Sequence, residues 1–214
     1  MGDLIAVASD GGRCTVWNPD TGQDVATLTD TGTTHVLDDA KSAVAWHPSG
    51  KLLATTNGEG TCIIWKLDIA EKFTTLTGHT AAVTGAAWSP DGTLVATSSN
   101  DRTCIIWNPH TAEPITITDH ARAVTGVAWH PDGDFIATAD VSGLIRISHL
   151  DGTLERAFIS VRPRVPGVES YASWTPAGLD VLEGEAWRVL RVPEPGGGSR
   201  RLEIPGLSYE PPTD

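Results

Sequence analysis

Phenylalanine and tyrosine are nearly missing from this chain of 214 residues, three and two respectively, whereas tryptophan occurs eight times. Three cysteines with no Cys-x-x-Cys pair argue against a disulfide framework or a structural zinc site. Basic residues are few, 15 against 27 acidic, for a net charge of −12. That balance excludes a general nucleic-acid binder, which needs surplus Lys and Arg to neutralise phosphates. Long apolar runs are also lacking. The opening run Leu4 to Ala8 is too short for a signal peptide and no basic residue precedes it. Met1-Gly2 begins like a myristoylation site, but Ala6 stands where Ser or Thr is required. The expectation is a cytoplasmic protein with no membrane partner. No stretch of ten residues carries helical periodicity.

What is abundant is punctuation, with 22 glycines and 14 prolines, and it recurs at a fixed period. Three segments align without gaps: Ser42-Ala-Val-Ala-Trp46-His-Pro-Ser-Gly50, Thr84-Gly-Ala-Ala-Trp88-Ser-Pro-Asp-Gly92 and Thr125-Gly-Val-Ala-Trp129-His-Pro-Asp-Gly133. Their tryptophans are 42 and 41 residues apart. Two of the units end in Cys62-Ile-Ile-Trp65 and Cys104-Ile-Ile-Trp107, the third in Ile145-Arg-Ile-Ser148. Each unit reads as four strands. In the central one, Val83 to Trp88 runs into a Ser-Pro-Asp-Gly turn, with Pro and Gly at the positions that fix such a turn. Thr93 to Ser98, Thr103 to Trp107 and Ile115 to Ile117 follow as strands, separated by turns at Asn100-Asp101-Arg102 and Asn108-Pro109.

A lone four-stranded antiparallel sheet exposes a greasy face, and stacking successive sheets face to face around an axis buries it. The period just above forty, the Trp closing the third strand and the Gly78-His79 pair opening a unit resemble the WD-repeat (WD40-type) β-propeller family. Propellers that share only a Trp-Ser-Pro-Asp-Gly turn lack the Gly-His and Ile-Trp signatures. The expected fold is all-β, a propeller of about five four-stranded antiparallel blades. Nineteen strands fall in units at about 4–29, 33–77, 78–118, 119–160 and 166–207, the first without its innermost strand. They form one domain over 1–207, followed by a polar tail at 208–214. A closed five-bladed ring and an open segment of a larger ring both stay open, as does self-association through the unpaired edges.

The resemblance implies a network joining a His before the first strand, a Ser or Thr in the second, an Asp in the next turn and the Trp. The candidates are His79, Thr97, Asp101 and Trp107 in the unit opening at Gly78. The next unit keeps His120 and Thr138 but carries Ser142 and Ser148 in the Asp and Trp places. The preceding unit, ending at Trp65, has Glu59 and Leu37 for the Asp and His, and Trp17 is the corresponding indole of the first unit. The resemblance also points to the rim of inter-unit and second-to-third-strand loops as a docking surface for another protein. Its candidate residues are Asn100, Arg102 and Arg122, with Val141 beside them and Arg162 and Arg164 in an equivalent loop. Arginine is favoured at such contacts because it forks to carboxylates.

Catalytic and cofactor signatures are missing. There is no Gly-x-Ser-x-Gly elbow, and Gly58-Glu-Gly60 lacks the third glycine and helix of a phosphate loop. The histidines scatter without metal-ligand spacing, and the three cysteines fill one equivalent strand position as small buried groups. Glu183 and Glu185 read as turn residues rather than a carboxylate pair. No enzyme activity, metal or cofactor is expected. The alternatives are a remnant of a larger propeller, or a ligand-binding protein or enzyme using a central channel, against which the small apolar innermost strands count.

Overall fold

The computed structural model describes residues 4–9, 13–30, 43–160, 171–183, 191–193 and 199–201. Every regular element among them is a strand, and no helix there is long and apolar enough to cross a membrane. The chain divides into two compact units, Met1–Ala157 and Phe158–Asp214.

The first unit is a succession of antiparallel blades. Blade one has three strands in the order β1 (Ile5–Ser9), β2 (Arg13–Asn18) and β3 (Gln23–Thr29). Blade two is β4 (Val44–Trp46), β5 (Leu52–Thr56), β6 (Thr61–Lys66) and β7 (Glu71–Thr77). Blade three is β8 (Val83–Trp88), β9 (Val95–Ser99), β10 (Thr103–Asn108) and β11 (Glu113–Asp119). Blade four follows the same order with β12 (Val124–Trp129), β13 (Phe135–Asp140), β14 (Leu144–His149) and β15 (Leu154–Ser160). In the second unit β16 (Tyr171–Thr175) pairs with β17 (Gly178–Glu183), and β18 (Arg191–Pro193) with β19 (Ser199–Arg201), both antiparallel. The successive blades of the first unit are the all-β, incomplete propeller architecture expected from the repeat, whereas the described strands of the second unit do not form the fifth four-stranded blade.

Local chemistry sets the strand ends. Asp91 accepts hydrogen bonds from the Thr93 amide and hydroxyl, which holds Thr93 in the turn. Strand β9 therefore starts at Val95, two residues later than the sequence pattern suggests. The fourth strand is longer than expected, because β10 pairs with β11 from Thr103↔Asp119 to Asn108↔Glu113. Pro114 is tolerated there because β11 is an edge strand. A register shift precedes the closing tryptophan in three blades, at Val16/Trp17, Ile64/Trp65 and Ile106/Trp107.

The core lies between blades. Alternate residues of β6 face opposite neighbours, as strand pleating requires. Ile63 and Trp65 pack with Cys14, Val16, Ala26 and Leu28 of blade one. Cys62 and Ile64 pack with Trp88, Val95, Ile105 and Trp107 of blade three. Ala96, Cys104 and Ile106 meet Ile136 of blade four. Tryptophans on the innermost strands stitch the junctions, Trp88 Nε1 donating to Ala45 O at 3.2 Å and Trp129 Nε1 to Ala87 O at 2.9 Å. Gly85 is set by its own blade: a Cβ there would lie 2.9 Å from Ser98 Oγ of β9, whereas Gly126 Cα of β12, at 3.7 Å, would be in ordinary contact.

Candidate interaction rim and the network beneath it

Blade three holds an uninterrupted hydrogen-bonded chain. Trp107 Nε1 donates to Thr97 Oγ1 at 2.8 Å, and Thr97 Oγ1 lies 2.8 Å from His79 Nε2. His79 Nδ1 is 2.9 Å from Asp101 Oδ2, which also takes the Thr80 amide. The neutral Nδ1–H form of His79 satisfies every link: indole to hydroxyl, hydroxyl to Nε2, Nδ1–H to carboxylate. Burial pulls the His79 imidazole below its ordinary range, and the hydrogen bond and charge of Asp101 offset this only in part. Burial pushes the Asp101 carboxyl up, but hydrogen bonds from Thr103, Thr80 and His79 prevail and bring it down to about 2. The pair is a neutral imidazole on a carboxylate rather than an ion pair. Gly78 is needed beside it, because a Cβ there would lie 2.9 Å from Trp107 Cη2.

Thr103, which the sequence pattern does not single out, belongs to this network. Its hydroxyl donates to Asp101 Oδ1 at 2.7 Å and lies 3.0 Å from His79 Nδ1. The neighbouring blades keep the threonine slot and vary the rest. Trp65 Nε1 donates to Thr55 Oγ1 at 2.8 Å. There the turn is fixed by buried Asn57, whose Oδ1 takes the amides of Glu59 and Thr61. Leu37 lies outside the described residues.

In blade four His120 Nε2 lies 2.8 Å from Thr138 Oγ1. The carboxylate comes from Asp140, two residues before the aligned Ser142, and Ser142 donates to it through amide and hydroxyl. The His120–Asp140 contact is loose at 3.6 Å. Among the described residues His120 Nδ1, Asp140 Oδ2 and Arg146 Nε find no hydrogen-bond partner. Burial, then the Arg146 charge, lower the affinity of His120 for a proton. Asn57 and Asp140 share one slot, held by Ser99 in blade three, so a polar side chain just before the turn was the available sequence signal. In blade one Val7 occupies the threonine slot, and Trp17, opposite Ile5, stands 41 % exposed.

The network positions a rim. Asp101 sits between Asn100 and Arg102, both exposed, in the turn joining β9 to β10. The Asn100 amide donates to Ala82 O and the His120 amide to Arg102 O, which ties this turn to the connections into β8 and β12. Arg122, also exposed, lies in the connection into β12, and Val141, 62 % exposed, in the turn joining β13 to β14. The structure thus brings Asn100, Arg102, Arg122 and Val141 to one rim. Arg162, Arg164 and Glu185 lie outside the described residues.

The family model described as "WD domain, G-beta repeat" (WD40) matches residues 24–66, 70–108 and 113–147, more than half the chain. The chain belongs to the WD40 family. Among curated proteins, none matches it. Each WD40 repeat is offset from the blades. The match over 70–108 begins at β7, the outer strand of blade two, and closes with β10, the third strand of blade three. Each repeat therefore spans two blades, and the covalent chain crosses every junction inside a repeat. The propellers of this family are generally scaffolds for protein interaction.

Proposed function

We propose that this WD40 chain is a non-catalytic platform that presents the rim of Asn100, Arg102, Arg122 and Val141 to another protein. The observation that carries this reading is the backbone at Arg102. The slot it fills holds Gly60 in blade two and Gly143 in blade four, with φ of +85° and +84°. Arg102 adopts φ +76° in the same turn, a conformation that costs a residue with a Cβ about 1 kcal/mol or more. A long cation is retained where the repeat elsewhere uses glycine, and it stands exposed beside Asn100 on a turn braced by Asp101. Of the rim residues, the two arginines are of a type favoured at interaction hot spots. The free, buried thiols Cys14, Cys62 and Cys104 support a cytoplasmic location.

The test is quantitative affinity capture from the source cells with wild type, Arg102→Gly and Arg122→Ala. A partner held by wild type and lost by both variants, with their folding intact, is the expected result. An unchanged set of captured proteins would remove this rim from the function.

A second reading, self-association, is favoured by blade one. Its face away from blade two exposes Ile5, Val7, Trp17 and Val25, and among the described residues the sheet has three strands. Light scattering on a sizing column at low and high concentration separates the two: a monomer at both leaves the platform reading, and a dimer favours a shared assembly.

A further inference from the structure

Residues 47, 89 and 130 occupy one slot of the repeat, the start of the turn between the first and second strands, and they are His, Ser and His. Between blades two and three the His47 ring fills that slot. Its Nε2 lies 3.0 Å from Gly92 O, and the ring stands edge-on to Trp88 with centroids 4.7 Å apart. The fit is tight: a Cβ on Gly92 would lie 2.4 Å from His47 Nε2. Between blades three and four Ser89 takes the slot, and its hydroxyl turns back into its own turn, 2.6 Å from Asp91 Oδ1 and 3.2 Å from Leu94 O. A Cβ on Gly133, the counterpart of Gly92, would meet only Pro90 Cδ, at 3.8 Å.

Where the imidazole plugs one junction, the next has a cavity of about 260 Å³. Pro90, Leu94, Trp129 and Leu150 give it apolar walls, and Asp91, Asp132 and Asp134 bring carboxylates. The Trp129 indole is held in place by its hydrogen bond to Ala87 O. No Lys or Arg lines the cavity. Asp91 is already engaged by Ser89 and Thr93 and Asp132 lies 3.6 Å from His130 Nδ1, while the Asp132 and Asp134 side chains are both exposed.

We propose that this cavity receives one arginine side chain from an extended segment of a partner protein. The volume falls below the roughly 300–1,000 Å³ of sites for drug-sized ligands and suits a single long side chain. A guanidinium stacks on an indole face and forks to carboxylates, which matches an aromatic wall beside aspartates. The net charge of −12 draws such a segment in. A peptide residue fits better than free arginine, whose α-carboxylate would be repelled by the three aspartates. The cavity lies at the opposite end of β9 from Arg102, so it stands or falls independently of the rim proposed above.

The test is an NMR titration of the full chain, following the indole N–H signals, with acetyl-Gly-Gly-Arg-Gly-Gly-amide. Three comparisons accompany it: the same peptide with citrulline, free L-arginine, and the Ser89→His variant. The expected result is a saturable shift with the arginine peptide, binding at least tenfold weaker for citrulline and for free arginine, and loss of binding in Ser89→His. That variant carries the residue the chain uses twice in this slot. Asp134→Asn, in the cavity lining, should weaken binding severalfold and serves should Ser89→His fold poorly. Absence of a saturable shift with the arginine peptide, equal binding of the citrulline peptide, or unchanged binding by either variant would overturn the proposal. Free arginine binding as tightly as the peptide would overturn the choice of a partner segment.

Discussion

His79 and Trp107 meet at one hydroxyl: Thr97 Oγ1 lies 2.8 Å from His79 Nε2 and 2.8 Å from Trp107 Nε1. The threonine donates to the imidazole and accepts from the indole, so a single small side chain satisfies two large buried ones. Thr97→Val, nearly isosteric, should therefore destabilise by about 2–4 kcal/mol by leaving His79 Nε2 and Trp107 Nε1 without partners. Denaturant unfolding measures this, and a midpoint like that of wild type would show that the hydroxyl is dispensable.

Asp101 closes the same chain at its other end and also holds the Thr80 and Thr103 amides. Asp101→Ala should cost about 1–3 kcal/mol. Ser142→Ala, at the aligned position of blade four, should cost less, because Asp140 supplies the carboxylate there and keeps its Ser142 and Leu144 amide bonds. Equal losses for the two would contradict the different roles assigned to them.

The pH dependence follows from the same groups. His79 and His120 hold protons less well in the folded chain than in the unfolded one. The unfolded state therefore takes up more protons as pH falls through about 6.5, and stability declines below that point. Asp101 works in a lower window: with its folded value near 2, its contribution is complete above about 4 and is lost toward pH 2. Unfolding free energies should be level above pH 7, lower at pH 5 and lower again at pH 3. A flat profile from pH 7.5 to 5 would mean that the buried imidazoles are not held neutral.

Arg102→Gly should raise stability by up to about 1 kcal/mol. It relieves the left-handed backbone, and the extra freedom of glycine in the unfolded chain offsets part of that gain. Ala112→Gly, at φ +58° in the turn where blade one has Gly22, provides a comparison away from the rim. If both variants are stabilised and only Arg102→Gly loses the partner, strain has been kept at Arg102 for binding.

The cysteines should be inert. Burial pushes Cys62 and Cys104 up to about 12 and Cys14 up to about 11, so almost no thiolate exists at neutral pH. A thiol reagent should label them only at the rate of unfolding. Rapid labelling of the native chain would mean that the blades part easily at these positions.

Much of this architecture was legible because the repeat aligns chemistry with geometry. Trp46, Trp88 and Trp129 marked the innermost strands and Trp65 and Trp107 the third, since each sits just before a turn. The Ser-Pro-Asp-Gly sequence marked a turn, but not that Asp91 would retain Thr93 and delay β9. Thr97 and Asp101 were visible as network candidates, whereas Thr103, Asn57 and Asp140 were not. A turn can be closed by an acceptor from either side, and linear alignment credits only one slot. The cavity at Ser89 was hidden for a different reason. It arises from what a side chain does not reach, and only the contrast with His47 in space reveals it.

The offset between repeats and blades has a consequence for how such a chain changes length. Duplicating one repeat whole inserts an outer strand that finishes the preceding blade and three inner strands that await the next repeat's first. The array thus lengthens or shortens by one blade at a time without stranding a half-built sheet at the splice. A cut at a blade boundary severs the chain in the middle of a repeat, separating the outer strand that completes one sheet from the three that begin the next.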